Sequence, residues 1–172
     1  MQFKSYRFLT ICTLILLLSA CGFELRGYGQ PPTVYPFTSL YISDPTDYPI
    51  TADIKRTIRA GTSTRVVDEA QGAEATLQIL KQTNEKSILS LSGEGRVREF
   101  LLRYLVSYRL IDARGIDLIP TTEIARERVL PYTDEQVVAK EAEAALLVKE
   151  MQNDIVRQIL RHLATVKAEG KP

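Results

Sequence analysis

The chain lacks the parts of most catalytic sites. Among its 172 residues there is one histidine, His162, and only two cysteines, Cys12 and Cys21, both within the first 21 residues. The usual zinc sites, and nucleophiles paired with a histidine base, therefore have no components. No stretch matches a nucleotide or catalytic motif: Gly93-Glu94-Gly95 joins two expected strands and opens no helix, so it is not a phosphate loop. The reading is of a non-enzymatic protein with no metal and no cofactor. Charge of one sign is also missing, since 22 Lys and Arg stand against 21 Asp and Glu, and nothing in that balance points to nucleic acid. Long apolar runs are missing too. The longest, Phe8 to Leu18, has eleven residues, whereas a membrane-spanning helix needs about 20.

What is present begins with that run. Lys4 and Arg7 precede it, and the small residues Ser19 and Ala20 follow, as in a secretory signal. The ending Leu18-Ser19-Ala20-Cys21 resembles the lipobox of bacterial lipoproteins. The resemblance implies cleavage after residue 20 and acylation of Cys21, which is the only cofactor-like group expected. Several acyl chains on one residue make a stable anchor. Cleavage there removes Lys4 and Arg7, leaves 20 cations against 21 anions, and leaves no second cysteine for an internal disulfide. Gly22, rather than Asp, follows Cys21, which by the sorting rule this resembles favours the outer membrane. An uncleaved anchor or a plain secretory signal are the alternatives. Residues 21–37, with three Gly and three Pro from 22 on, read as a lipidated N-terminus and linker.

The domain, residues 38–166, is organised around Val97 to Asp112. Its even residues Phe100, Leu102, Tyr104, Val106, Tyr108 and Leu110 form an apolar row at period two, a strand with one face on a core. The odd face is mixed: Glu99, Leu101, Arg103, Leu105, Ser107, Arg109 and Ile111. Leu101, Leu105 and Ile111 are more apolar than a solvated face needs, so this face is expected to meet something as well. Around this strand the sequence predicts a short strand at Ser39–Ser43 and a helix opened by Pro49, with Ile50, Ile54 and Ile58 on one stripe and Gly61 as its C′ stop. A second strand follows at Thr64–Val67, parallel to the first through a right-handed crossover. Thr76–Leu91, the central strand and Ile116–Val129 make a long antiparallel meander. Thr76–Leu91 has apolar ends and an exposed or bulged middle; Ile116, Leu118 and Ile124 share one side of the last strand. Thr133-x-x-Gln136 reads as a capping box. It opens a helix from Asp134 to about Val166 that contains no Gly or Pro and carries the stripe Leu147, Met151, Ile155, Ile159 and Leu163. Residues 167–172 are expected to fray. His162, Glu141 and Glu143 read as solvated surface. Arg96, Arg98, Arg126, Arg128 and Lys140 are cations at sheet ends and at the last helix's start.

Three stretches in this order resemble the outer-membrane lipopolysaccharide-assembly lipoprotein family LptE. They are Cys21-Gly22-Phe23-Glu24-Leu25-Arg26-Gly27, Arg98-Glu99-Phe100 with its alternating strand, and Leu147-Val148-Lys149-Glu150-Met151 followed by Ile159-Leu160-Arg161. The resemblance implies an α/β (α+β) sandwich of two helices on a mostly four-stranded mixed sheet. It implies a heterodimer with an LptD-type β-barrel, with this lipoprotein in the barrel lumen, and binding of lipopolysaccharide. The family's lipopolysaccharide-binding lysine maps onto Lys140. Its companion arginine aligns with Gly93, and the nearest cation is Arg96. Both cations read as exposed. A free lipid- or glycolipid-binding lipoprotein without an obligate barrel is the competing function.

Overall fold

The computed structural model describes residues 33–133 and 136–166. Its elements are β1 (Ser39–Ser43), α1 (Pro49–Gly61), β2 (Arg65–Val67), β3 (Ala75–Leu91), β4 (Val97–Asp112), β5 (Asp117–Pro131) and α2 (Val137–Thr165). The strands form one sheet in the order β2-β1-β3-β4-β5. β1 is parallel to both of its neighbours, as the crossover reading requires, whereas β3, β4 and β5 run antiparallel. The sheet is mixed, as expected, but has five strands rather than four, because the three-residue β2 pairs along the outer edge of β1.

The core forms where the apolar periodicities meet. On β4, Leu102, Tyr104, Val106, Tyr108 and Leu110 are at most 2% exposed. Against them lie Ile50, Ile54 and Ile58 of α1 and Met151, Ile155, Ile159 and Leu163 of α2, all fully buried. Each such side chain contributes about 1.5–3 kcal/mol on burial, whereas an exposed ion pair contributes about 0–1. The apolar stripes, not the surface charges, therefore hold the helices to the sheet. The opposite face of the sheet has no second layer among the described residues. Even so, Leu105 is only 8% exposed there.

Four local expectations are corrected. The core-facing row of β5 is not Ile116, Leu118 and Ile124. Ile116 precedes β5 and is 50% exposed, while Ile119 and Ile124 are buried. The pairing steps from Tyr108–Thr122 to Leu110–Ile119, so β5 holds one extra residue there. That bulge shifts the side-chain alternation by one place. Gly61 is the last helical residue of α1 and does not have a positive φ. Thr62 offers both its N–H (3.1 Å) and its hydroxyl (2.9 Å) to the Ile58 carbonyl, so no left-handed residue is needed. The capping box at Thr133 does not form: α2 starts at Val137, Gln136 makes no side-chain cap, and its N–H instead bonds the Thr133 carbonyl at 3.2 Å. His162 is not merely surface, because its Nδ1 lies 2.7 Å from the Tyr108 hydroxyl. Burial pushes that phenol up to about 12.

An acid the sequence did not single out joins the helices. Asp53, 5% exposed on α1, accepts hydrogen bonds from Lys149 Nζ (2.6 Å) and Gln152 Nε2 (2.7 Å) on α2, and from Arg56 (2.5 Å). Burial opposes its ionisation, but the bonds and charges of Lys149 and Arg56 outweigh this and hold its carboxyl below the usual range. Its contribution to stability is therefore fully present above the unfolded value of about 3.9 and is lost as pH falls through the lower folded-state value. Thermal melts between pH 7 and pH 3 should show stability falling at the acid end. Asp53→Asn should melt lower at pH 7, by the equivalent of about 1–3 kcal/mol, and lose less on acidification. Identical pH profiles for parent and variant would contradict this assignment.

Candidate functional site

Of the cations named from sequence, Arg96 and Arg98 lie at one end of the long meander, whereas Arg128 and Arg126 stand further along it, opposite Leu102 and Tyr104. At the Arg96 end the end of β5 meets the start of β4, since the Tyr132 N–H bonds the Arg98 carbonyl at 2.8 Å. Gly95, at φ 79°, supplies the left-handed position the hairpin turn needs. Phe100 meets Tyr132 edge-on, with centroids 5.1 Å apart. Lys86 of β3 sits 4.5 Å over the Phe100 ring and 2.6 Å from Glu141 of α2. Through the Lys86–Glu141 pair this cluster touches the early part of α2. It was missed in sequence because Lys86 sits in a fully polar run; the pairing Lys86–Leu102 is what brings it beside Phe100.

Lys140 follows directly. It is not exposed as expected: its side chain is only 17% exposed, and its ammonium folds onto Glu143 at 2.8 Å. Glu141 and Glu143, expected to be merely solvated, are the carboxylate partners of Lys86 and Lys140. Arg96, in the turn, is 70% exposed and 3.7 Å from Glu94. Arg98 is exposed and, among the described residues, has no side-chain partner. Arg126 and Arg128 are tied to α2 through Gln158 and Asp154. Lys140 and Arg96 share an end of the molecule but are not a close pair. Early α2 meets the sheet where Glu141 pairs with Lys86, opposite Leu102 and six residues along the chain from Arg96. Exposed aliphatics accompany the cations: Ile88 is 58% exposed, Leu91 53% and Val138 85%. Cys21 lies outside the described residues. Among the described residues, no helix is long and apolar enough to cross a membrane.

Comparison with known proteins places this arrangement. The sequence profile of the family LptE, described as lipopolysaccharide-assembly, matches residues 37–163. The LPS-assembly lipoprotein LptE of Yersinia pestis is 30% identical over 154 residues, which cover 90% of this chain and 73% of the relative. The solution structure of an uncharacterized lipoprotein B from Nitrosomonas europaea superposes with a TM-score of 0.74 at 44% identity, over 87% of this chain and 94% of that one. The rare lipoprotein B of Shewanella oneidensis superposes with a TM-score of 0.60 at 29% identity, over 74% and 94% respectively.

Proposed function

This chain belongs to the LptE lipopolysaccharide-assembly family, and on that premise we propose that it is a non-catalytic lipoprotein subunit of an outer-membrane lipopolysaccharide translocon. Acylated Cys21 anchors it to the outer membrane. The domain sits in the lumen of an LptD-type β-barrel. Lys140 and Arg96, joined by the uncommitted Arg98, meet lipopolysaccharide phosphates beside the exposed aliphatics of the same end.

The observation that carries the barrel reading is the open sheet face. It has no second layer among the described residues, yet it is not an ordinary solvated face. Leu105 is nearly buried at its centre, flanked by half-buried Leu101 and Ile111. Two of its cations have partners within the sheet: Arg103 stands 3.5 Å from Glu127, and Arg109 bonds Gln78 at 2.6 Å and lies 3.9 Å from Asp117. A face on which polar and charged side chains surround apolar ones suits a polar lumen that encloses it closely. The carboxylates beside Lys140 and Arg96 make partly exposed pairs of about 0–1 kcal/mol, which a multiply charged phosphate can displace.

A photo-activated cross-linker in place of Arg103 should capture a large outer-membrane β-barrel protein in cells. Adducts only with small periplasmic proteins, or none, would contradict the barrel reading. Mass spectrometry of the mature protein should find an acylated Cys21 at the amino terminus, and Cys21→Ser should release the protein to the soluble periplasmic fraction. A mature chain starting at any other residue would remove the anchor from the account.

A further inference from the structure

The helix layer covers the sheet unevenly. α1 has 13 residues and α2 has 29, about 20 Å against about 43 Å at the α-helical rise. α1 starts beside β3 at Gln82, whose Oε1 accepts the Ile50 N–H at 3.3 Å. Beyond that point Asn84, Lys86 and Ile88 pair with Tyr104, Leu102 and Phe100, which puts them on the core-facing side of the sheet. Even so, Asn84, Lys86 and Ile88 are all exposed. The first turns of α2 border this uncovered strip, since Glu141 reaches Lys86 at 2.6 Å. α2 carries a seam along its length. Val138, Ala142, Ala145, Lys149, Gln152 and Val156 recur at alternating steps of four and three, the spacing of a helix side that packs on a neighbour. In the second half of α2 that side meets α1: Lys149 and Gln152 bond Asp53, and Val156 is buried. In the first half, which α1 does not reach, Val138, Ala142 and Ala145 are exposed, with Leu146 exposed beside them. Helix propensity accounts for alanine and leucine at exposed positions, but not for Val138, and not for the spacing of the seam.

We propose that a lumen-facing segment of the barrel partner seats in this angle between α2 and β3, against Val138, Ala142 and Ala145 and over Asn84, and so continues the packing that α1 gives the second half of α2. The inference rests on the barrel reading and adds a second contact, on the side of the sheet opposite the open face. The chemistry of the angle selects its occupant. One wall is apolar, the first half of the α2 seam. The floor is polar: Asn84 has no side-chain partner among the described residues, and Lys86 crosses to Glu141. An acyl chain laid there would desolvate the amide and the ion pair without hydrogen bonds in return. A polypeptide supplies both kinds of contact, apolar side chains for the seam and amide groups for Asn84. Inside a barrel, the polypeptide adjoining this side of the domain is the wall itself or a loop folded into the lumen. Contacts on two opposite sides also fix how the domain is rotated within the barrel, which the open sheet face alone leaves free.

The test uses the full chain in cells, with a photo-activated cross-linker placed in turn at position 142 and at position 103 on the open face. Both positions should capture the same outer-membrane β-barrel protein, and peptide mapping should place the two adducts on different segments of it. Ala142→Arg puts an unpaired charge into the apolar side of the contact. Purification through a tag on this chain should then recover the barrel about threefold less or worse, while the circular dichroism and melting of the variant match the parent, because position 142 is exposed in the domain alone. Capture of the barrel at position 103 but not at 142 overturns this inference and leaves the barrel reading standing. Capture of the barrel at neither position overturns both. An adduct at 142 with lipopolysaccharide makes the angle a lipid surface, and one with a second copy of this chain makes it a self-contact; either overturns the inference. Recovery of the barrel with Ala142→Arg at the parent's level overturns it as well.

Discussion

Tyr104→Ala should destabilise the domain by about 3–5 kcal/mol, the range for removing a large aromatic from a packed core. Tyr104→Phe should leave it as stable or make it more stable by about 1 kcal/mol. Tyr104 is 2% exposed at the centre of the β4 row, and its hydroxyl has no hydrogen-bond partner among the described residues. Burial, with the negative charge of Asp53 adding to it, keeps its proton bound well above the ordinary phenol range. The ring therefore supplies the stability, and the hydroxyl is a desolvated group whose removal relieves a penalty. Tyr108→Phe is the contrast, because it loses the bond to His162 and should cost about 1 kcal/mol. On the open face, Arg103→Ala removes only a half-exposed pair with Glu127 and should change melting by less than about 1 kcal/mol. Chemical denaturation of the four variants decides the matter. A Phe variant at position 104 weaker than the one at 108 would contradict the roles given to the two hydroxyls, and an Arg103 variant weaker than Tyr104→Ala would mean that the two faces have been assigned the wrong roles.

Lys140→Asp should weaken lipopolysaccharide binding tenfold or more, about 1.4 kcal/mol, by turning attraction for phosphate into repulsion. The ion pair with Glu143 adds a prediction in the opposite direction. Glu143→Gln frees the ammonium from its 2.8 Å partner and should strengthen binding severalfold. Arg98→Asp should weaken binding more than Arg96→Asp, since Arg98 is uncommitted and Arg96 already faces Glu94. Binding to folded variants at two salt concentrations reads this, with the largest differences at low salt. If Lys140→Asp binds as the parent does, Lys140 is not the phosphate contact. If binding disappears only together with the circular dichroism signal, Lys140 is structural.

Most of the fold was legible because its main elements repeat at unambiguous periods. The even row of β4 has one burial solution, and the isoleucine stripe of α1 and the Met151–Leu163 stripe of α2 have one core-facing side each. What escaped reading depends on contacts between segments far apart in sequence. The extra residue between Ile119 and Thr122 is visible only once β5 pairs with β4. Asp53 reads as one polar residue beside Ile54, and only the crossing of the helices brings Lys149 and Gln152 to it. His162 reaches Tyr108 across 54 residues of chain. At the candidate site, Lys140 and Arg96 could be named from resemblance, but not their separation, and not Lys86, whose place beside Phe100 and Glu141 follows from strand register. The Lys140–Glu143 pair was within reach, since residues three apart on a helix are neighbours.

The central claim is that this chain works as one half of a barrel complex rather than as a free binder of lipids. Extraction of membranes in a mild detergent, followed by purification through a tag on this chain, measures it directly. The account predicts a large outer-membrane β-barrel protein recovered at near-equal stoichiometry, retained when Lys140 or Arg96 is changed to Asp. Recovery of the acylated chain alone, with lipopolysaccharide but no barrel, would contradict it and establish the free lipid-binding lipoprotein instead.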